Sequence, residues 1–271
     1  PVGDDVYGDD ESVNQLEAYA RLRFNVADAL FCSSGTQTNL LALMAHCERG
    51  DEYICGQSAH NYKFEGGGAA VLGSIQPQPI ENEADGSLCF TKIAAAIKPD
   101  DSHFAKTRLL SLENTIGGKV LGIDYLIKAR EFVDQHNLAL HLDGARAFNA
   151  AAELNLDIKE ITKHFDSVSI CLSKGLGAPV GSLLLGSTAL IAKARRWRKV
   201  LGGGMRQAGI LAAAGQYALE NNTQRLVDDH ANARYLAQQL SEISGFEVNM
   251  SNTTNMVYAT FDNSINITKL A

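Results

Sequence analysis

The stretch Leu138-Ala139-Leu140-His141-Leu142-Asp143-Gly144-Ala145-Arg146 and its successor Ser167-Val168-Ser169-Ile170-Cys171-Leu172-Ser173-Lys174-Gly175-Leu176-Gly177 decide the fold. Each is a short apolar run that ends on one charged residue beside glycine. Similar runs occur at Ala29-Leu30-Phe31-Cys32, Leu109-Leu110-Ser111-Leu112 and Ser182-Leu183-Leu184-Leu185. Segments with helical spacing separate them, such as Leu126, Ala129 and Val133. Strands that alternate with helices pair in parallel, so the expectation is an α/β fold with a mostly parallel, doubly wound sheet. Ligands of such sheets bind beyond the carboxyl ends of the strands, where Asp143 and Lys174 stand.

Working outward, the 271 residues suffice for one large domain and part of another. A change of pattern near residue 220 supports a division into 1–220, a large domain with an N-terminal arm, and 221–271, the start of a small α/β domain. There Leu226, Ala233, Ala237, Leu240 and Ile243 share a helical face, followed by a break at Gly245 and a strand-like Met256-Val257-Tyr258-Ala259. Gln76-Pro77-Gln78-Pro79 reads as an extended linker. The chain opens on Pro1, and Ile265 to Ala271 contain no closing element, so a longer polypeptide is expected.

Hydrophobic residues make up 45% and charged residues 20%, the balance of a globular protein rather than a disordered one. The formal net charge of -7 opposes nucleic acid as a partner. No apolar run reaches the roughly 18 residues of a membrane helix, and the acidic start does not resemble a signal peptide; a cytoplasmic location is expected. Cys32, Cys47, Cys55, Cys89 and Cys171 contain no Cys-x-x-Cys pair, so they read as reduced, mainly buried thiols, and no metal site is expected.

Three features carry chemistry. Ser33-Ser34-Gly35-Thr36-Gln37-Thr38-Asn39 lies between an apolar run and a helical one. Backbone N–H groups, a hydroxyl and the helix dipole there form a candidate phosphate cup, although an ordinary N-cap has the same composition. The spacing matches neither the dinucleotide fingerprint nor the P-loop, which disfavours adenine nucleotides. Asp143, at a strand end, requires a cationic or donor partner, either Arg146 or a protonated ring nitrogen on a ligand. Lys174 among glycines lies in a confined site, where desolvation favours the neutral, nucleophilic amine; its bland alternative is a lysine that snorkels to solvent. A phosphate cup, an acid for a pyridinium and a confined lysine together point to pyridoxal phosphate.

The stretches GDDVYGDD (3–10), SSGTQTNL (33–40), AHNY (59–62), SLENT (111–115), HLDGAR (141–146), CLSKGLGAPVGSLL (171–184) and GGGMRQAGILAAAG (202–215) resemble those of the low-specificity L-threonine aldolases. These are fold-type I pyridoxal phosphate enzymes. The resemblance implies that Lys174 bonds the cofactor aldehyde, that Asp143 pairs with its ring nitrogen, and that Ser34, Gly35 and Thr36 hold its phosphate. It implies that His60 stacks on the ring and that Arg146 reaches the phenolate or the substrate carboxylate. Arg206 and Tyr7 would approach the phosphate from a neighbouring subunit, in a homodimer or homotetramer. His103 would lie near the substrate hydroxyl. The implied reaction is retro-aldol cleavage of threonine or allo-threonine to glycine and an aldehyde, with His60, His103 or a water between them as hydroxyl base.

Three rivals remain at this level: an aminotransferase or β-lyase with the same cofactor, a non-catalytic cofactor-binding subunit, and a structural domain. Two local features are expected to be structural. Asp4, Asp5, Asp9, Asp10 and Glu11 suit turns and a helix start, and the basic run Lys193 to Lys199 suits a solvated helix face or an interface. Ile116 stands where the family often has a histidine, which removes a polar group from a loop facing the cofactor.

Overall fold

Seven strands form the main sheet: β1 (Asp28–Cys32), β2 (Asp51–Gly56), β3 (Gln76–Ile80), β4 (Lys106–Glu113), β5 (Ala139–Asp143), β6 (Ser167–Cys171) and β7 (Ser182–Gly186). The computed structural model describes residues 3–251 and 254–262; Pro1 and the stretch from Ile265 to Ala271 lie outside the described residues. The helices are α1 (Glu11–Phe24), α2 (Gly35–His46), α3 (His60–Lys63), α4 (Gly68–Val71), α5 (Phe90–Ala96), α6 (Ile123–Gln135), α7 (Ala147–Leu154), α8 (Ile158–Thr162), α9 (Thr188–Val200), α10 (Gly209–Asn221) and α11 (Leu226–Ser241). A separate antiparallel pair, β8 (Phe246–Asn249) and β9 (Tyr258–Phe261), follows α11.

The sheet order is β1-β7-β6-β5-β4-β2-β3. Strands β6, β5, β4, β2 and β3 are mutually parallel, as the alternation of runs and helices requires. β7 departs from that expectation: it runs antiparallel to both β6 and β1. The physical reason is the short connection from Leu172 to Gly181, which contains no crossover helix, so the chain returns beside β6 in the opposite direction. That connection carries Lys174.

The central strands are buried on both faces, which is why they read as continuous apolar runs rather than alternating ones. One core cluster joins α1, α6 and α7 to the sheet through residues such as Leu16, Leu126 and Phe148; a second, around Leu41, Leu184 and Ile191, joins α2 and α9 to it. Leu126, Ala129 and Val133 are the buried residues of α6, as their spacing requires. In α11 Leu226 and Ala237 are buried, whereas Ile243 lies past the helix end and is exposed.

Gln76–Pro79 is a strand, not a linker. β3 is an edge strand, where proline is admitted: Pro77 and Pro79 point their donor-less nitrogens away from β2, while Gln76, Gln78 and Ile80 face the ladder. The N-terminal acids are helix and turn caps: Asp10 accepts from Ser12 N–H and Val13 N–H, and Asp4 accepts from Val6 N–H. Asp5 does more than cap, because its buried carboxylate meets the guanidinium of Arg198 at 2.7 Å. Arg198 also donates to the carbonyl of Phe31 in β1. The basic run is therefore not wholly a solvated face. Arg195 likewise donates to Glu17, whose other oxygen accepts from Phe31 N–H. Cys32, Cys47, Cys55 and Cys171 are buried free thiols and Cys89 is half-buried. Among the described residues no helix is long and apolar enough to cross a membrane.

Candidate active site

The carboxyl edge of the sheet gathers the residues of interest. Glu113 ends β4 and Asp143 ends β5, and the two are register partners. α2 opens directly after β1, α3 opens shortly after β2, and the Lys174 connection leaves β6 at the same edge.

Asp143 is buried, with 3% of its surface exposed, and its partners are neutral donors. Oδ2 accepts from Asn39 Nδ2 at 2.7 Å and Oδ1 from Ala145 N–H at 3.1 Å. Arg146 is not among these partners, so the simplest account of the carboxylate, an ion pair with Arg146, does not hold. Asn39 reaches Asp143 because α2 is pinned onto the sheet beneath it. Thr38 Oγ1 lies 2.5 Å from Ser169 Oγ and 3.0 Å from Ser182 Oγ, which joins α2 to β6 and β7.

The Ser34 side chain caps α2 by accepting from Gln37 N–H at 3.2 Å. The first-turn N–H groups of Gly35 and Thr36 have no intrahelical acceptor, as at any helix start. Glycine is required at position 35 by close approach: a Cβ there would stand 2.6 Å from Cys171 Sγ. Lys174 is half-buried, and its charge acts on His60, Glu65, Glu113 and Cys171.

His60 opens α3, and its backbone N–H donates to Glu113 Oε2 at 2.8 Å. Its Nδ1 lies 2.9 Å from Glu65 Oε1. Burial lowers the His60 imidazole below its ordinary value. Burial pushes both neighbouring carboxyls the other way, Glu65 up to about 8 and Glu113 up to about 8, with the charge of Asp143 adding to the effect in each case. His60, Glu113 and Arg146 line a cleft of about 650 Å³ together with Phe64, Ile116 and Tyr258, a volume suited to a small organic ligand. The Nε of Arg146 is buried and has no hydrogen-bond partner. Ile116 makes this wall apolar.

Tyr7 and Arg206 lie together elsewhere on the chain. The guanidinium sits 5.6 Å from the Tyr7 ring and its Nε donates to Asp4 at 2.6 Å; both residues are exposed and neither lines the cleft. His103 is also outside it. Its side chain is 83% exposed and bonds Asp101 on the turn before β4, at the end of that strand opposite Glu113. The length of β4 puts it on the order of 20 Å from the cleft of its own chain.

Glu65, Asn39 and Glu113, which bond His60 or Asp143, are candidate site residues that the sequence reading passed over. Glu65 had a signal, an acid directly before Gly66-Gly67-Gly68; Asn39 and Glu113 lay inside motifs read for other members. His60 Nδ1 or Nε2, a Glu65 oxygen and an Asp143 oxygen lie within 4.8 Å of one another, a spacing a metal ion could share. The Asn39 amide already bridges the two carboxyls of that trio.

The beta-eliminating lyase family model matches residues 1–263. The chain is 61% identical to the low specificity L-threonine aldolase of Escherichia coli K12 over 258 residues, which cover 95% of this chain and 77% of that protein. It is 42% identical to low-specificity L-threonine aldolase 1 of Arabidopsis thaliana, covering 98% of this chain and 76% of the other. The solved threonine aldolase of Leishmania major superposes with a TM-score of 0.83 at 24% identity, covering 98% of this chain and 78% of that one. The fold is thus that of the fold-type I pyridoxal phosphate enzymes. The chain belongs to the beta-eliminating lyase family, among its low-specificity threonine aldolase members.

Pyridoxal 5'-phosphate is the cofactor of this family, and the residues present fit it. Arg146, which lines the cleft, keeps a buried guanidinium nitrogen without a partner, the start of α2 is held to glycine at position 35, buried Asp143 ends β5, and Lys174 lies in the connection that leaves the neighbouring strand β6.

Proposed function

We propose that the protein is a pyridoxal phosphate-dependent aldolase that cleaves L-threonine and L-allo-threonine between Cα and Cβ, releasing glycine and an aldehyde. The observation that carries the reading is that buried Asp143 ends β5 while Lys174 follows the neighbouring strand β6 at the same edge of the sheet, in a chain 61% identical to a low specificity L-threonine aldolase.

When bound, the cofactor supplies an electron sink for the broken bond. Lys174 would hold it through its side-chain amine, the position a substrate amine competes for. Asp143, fixed by Asn39 and Ala145, holds a proton at the ring nitrogen in a poorly solvated site, where such an interaction counts most. Ser34 and the N–H groups of Gly35 and Thr36 bind the phosphate. Arg146 directs its free Nε at the phenolate or the substrate carboxylate. His60 covers the ring face, and its Nε2, directly or through a water, receives the β-hydroxyl proton. His60 is preferred as base because it lines the cleft of its own chain, whereas His103 takes part only if another subunit presents it.

Tyr7 and Arg206 reach the phosphate across a subunit boundary in a homodimer or homotetramer; their joint exposure and separation from this cleft support that role. The enzyme is cytoplasmic and works in glycine formation and amino-acid metabolism. Residues 1–220 form the cofactor-binding domain and 221–271 begin a smaller one, a division supported by the separate β8–β9 pair.

The test is the absorbance spectrum of the purified chain with pyridoxal phosphate, before and after L-threonine, for wild type and Lys174→Ala. A cofactor band that depends on Lys174, with aldehyde release, is expected. A folded protein without the band refutes the cofactor site; a band with keto acid and ammonia in place of glycine and aldehyde refutes the aldolase reaction.

A further inference from the structure

A continuous hydrogen-bond chain runs beneath the cleft, and its proton positions follow from one side chain. Asn39 Nδ2 lies 2.8 Å from Glu65 Oε1 and 2.7 Å from Asp143 Oδ2. Only the amide nitrogen suits that place, since the opposite orientation would set an amide oxygen against two carboxyl oxygens. Both amide hydrogens are then committed, one to each acid. Asn39 Oδ1 consequently accepts from His141 Nε2, 3.3 Å away. His141 Nδ1 therefore accepts from Ser167 Oγ at 2.8 Å, and that hydroxyl accepts from His46 Nε2 at 2.8 Å. Burial holds both imidazoles neutral, His141 down to about 3 and His46 down to about 4, so each has one donor and one acceptor nitrogen, as the chain demands.

The same logic applies toward the cleft. Glu65 Oε1 accepts from Asn39, which favours the carbonyl oxygen over the hydroxyl at that position, and a carbonyl oxygen 2.9 Å from His60 Nδ1 makes Nδ1 the donor. We propose that Glu65 and Asn39 are positioning residues: Glu65 holds His60 in the Nδ1–H form, leaving Nε2 as a proton acceptor on the cleft side, and Asn39 ties that orientation to Asp143. One amide thus orients both the acid that would serve the ring nitrogen and the imidazole that would cover the ring. The raised Glu65 carboxyl and lowered His60 imidazole make the pair a neutral acid and a neutral ring near pH 7, so a glutamine oxygen can replace the carboxyl oxygen. The catalytic part of this inference rests on the aldolase reading; the tautomer does not.

The test uses the full chain loaded with pyridoxal phosphate and labelled with 15N in its histidine rings, with His60→Gln to assign the signal. NMR of the wild type and of Glu65→Gln is expected to show His60 protonated at Nδ1 and bare at Nε2. In Glu65→Met, which fills the volume without an acceptor, the form reverses or averages. Its kcat/KM falls about 10- to 100-fold, the scale typical when a supporting hydrogen bond to a functional imidazole is removed, and Glu65→Gln restores most of the loss. A wild-type His60 protonated at Nε2 overturns the proposal, whether or not Glu65→Met folds. So does an unchanged tautomer, or an unchanged kcat/KM, in Glu65→Met. Wild type that releases no aldehyde refutes the aldolase reading instead, while the His60 signal still decides the tautomer.

Discussion

Replacing Arg198 by methionine tests how the N-terminal arm is fastened to the sheet. The Arg198 and Asp5 side chains are 4% and 2% exposed, so neither charge has water to fall back on. Arg198 Nη2 donates to Asp5 Oδ2 at 2.7 Å, and Nη1 donates to the Phe31 carbonyl. Arg198→Met leaves the Asp5 carboxylate buried without its cation, a change that costs roughly 3–5 kcal/mol. Adding Asp5→Asn to Arg198→Met removes the stranded charge. The remaining penalty is then the unpaired Phe31 carbonyl, about 1–3 kcal/mol. The double variant should therefore be more stable than Arg198→Met alone, with a coupling energy of about 2 kcal/mol or more. Urea unfolding of the four proteins of the cycle, at one protomer concentration and without cofactor, measures it through midpoints at constant m. Losses that add to within about 0.5 kcal/mol, or an Arg198→Met cost below about 1 kcal/mol, would refute the reasoning.

Two further predictions concern the site. Gly35→Ala places a Cβ 2.6 Å from the buried Cys171 Sγ, so the helix start must shift; pyridoxal phosphate affinity by titration should fall at least about tenfold with the far-UV CD unchanged, and wild-type affinity would contradict the close fit. The stability of the cofactor-free protein should depend on pH in a defined way. Glu65 and Glu113, raised to about 8, bind a proton in the folded state that the unfolded chain gives up above pH 4.5, so their contribution is lost as pH rises through about 8. His46 and His141, lowered to about 4 and about 3, contribute in the opposite sense, and their stabilisation is lost as pH falls below 6.5. The two pairs offset one another between about pH 5 and 6.5; above that, stability falls by up to about 1.4 kcal/mol per pH unit for each glutamate. Glu65→Gln should about halve the slope, and a flat or rising profile from pH 6.5 to 8 would contradict the assignment.

The candidate site stood out in the sequence wherever a single residue had to break a local rule. A carboxylate closing an apolar strand and a lysine among glycines are costly unless used, so Asp143 and Lys174 stood out from the chain alone. Residues whose role depends on a partner distant in sequence did not. Asn39 looks like part of a helix start, and only the packing of α2 on β6 and β7 brings its amide between Glu65 and Asp143. The strand β2 escaped notice because Asp51 and Glu52 open it; Glu52 is fully buried but meets Lys98 and Thr107. The reversal of β7 was hidden for a related reason. An apolar run reports burial, not direction, and only the missing helix between β6 and β7 records the turn.

The prolines of β3 bear on how copies of this chain can meet. With Pro77 and Pro79 presenting no N–H outward, that flank of the sheet lacks two of the donors a docking strand needs. Growth of the sheet from one molecule into the next is therefore disfavoured on that side. The opposite edge, β1, has no proline, so the two flanks of the sheet differ in what they offer a docking strand.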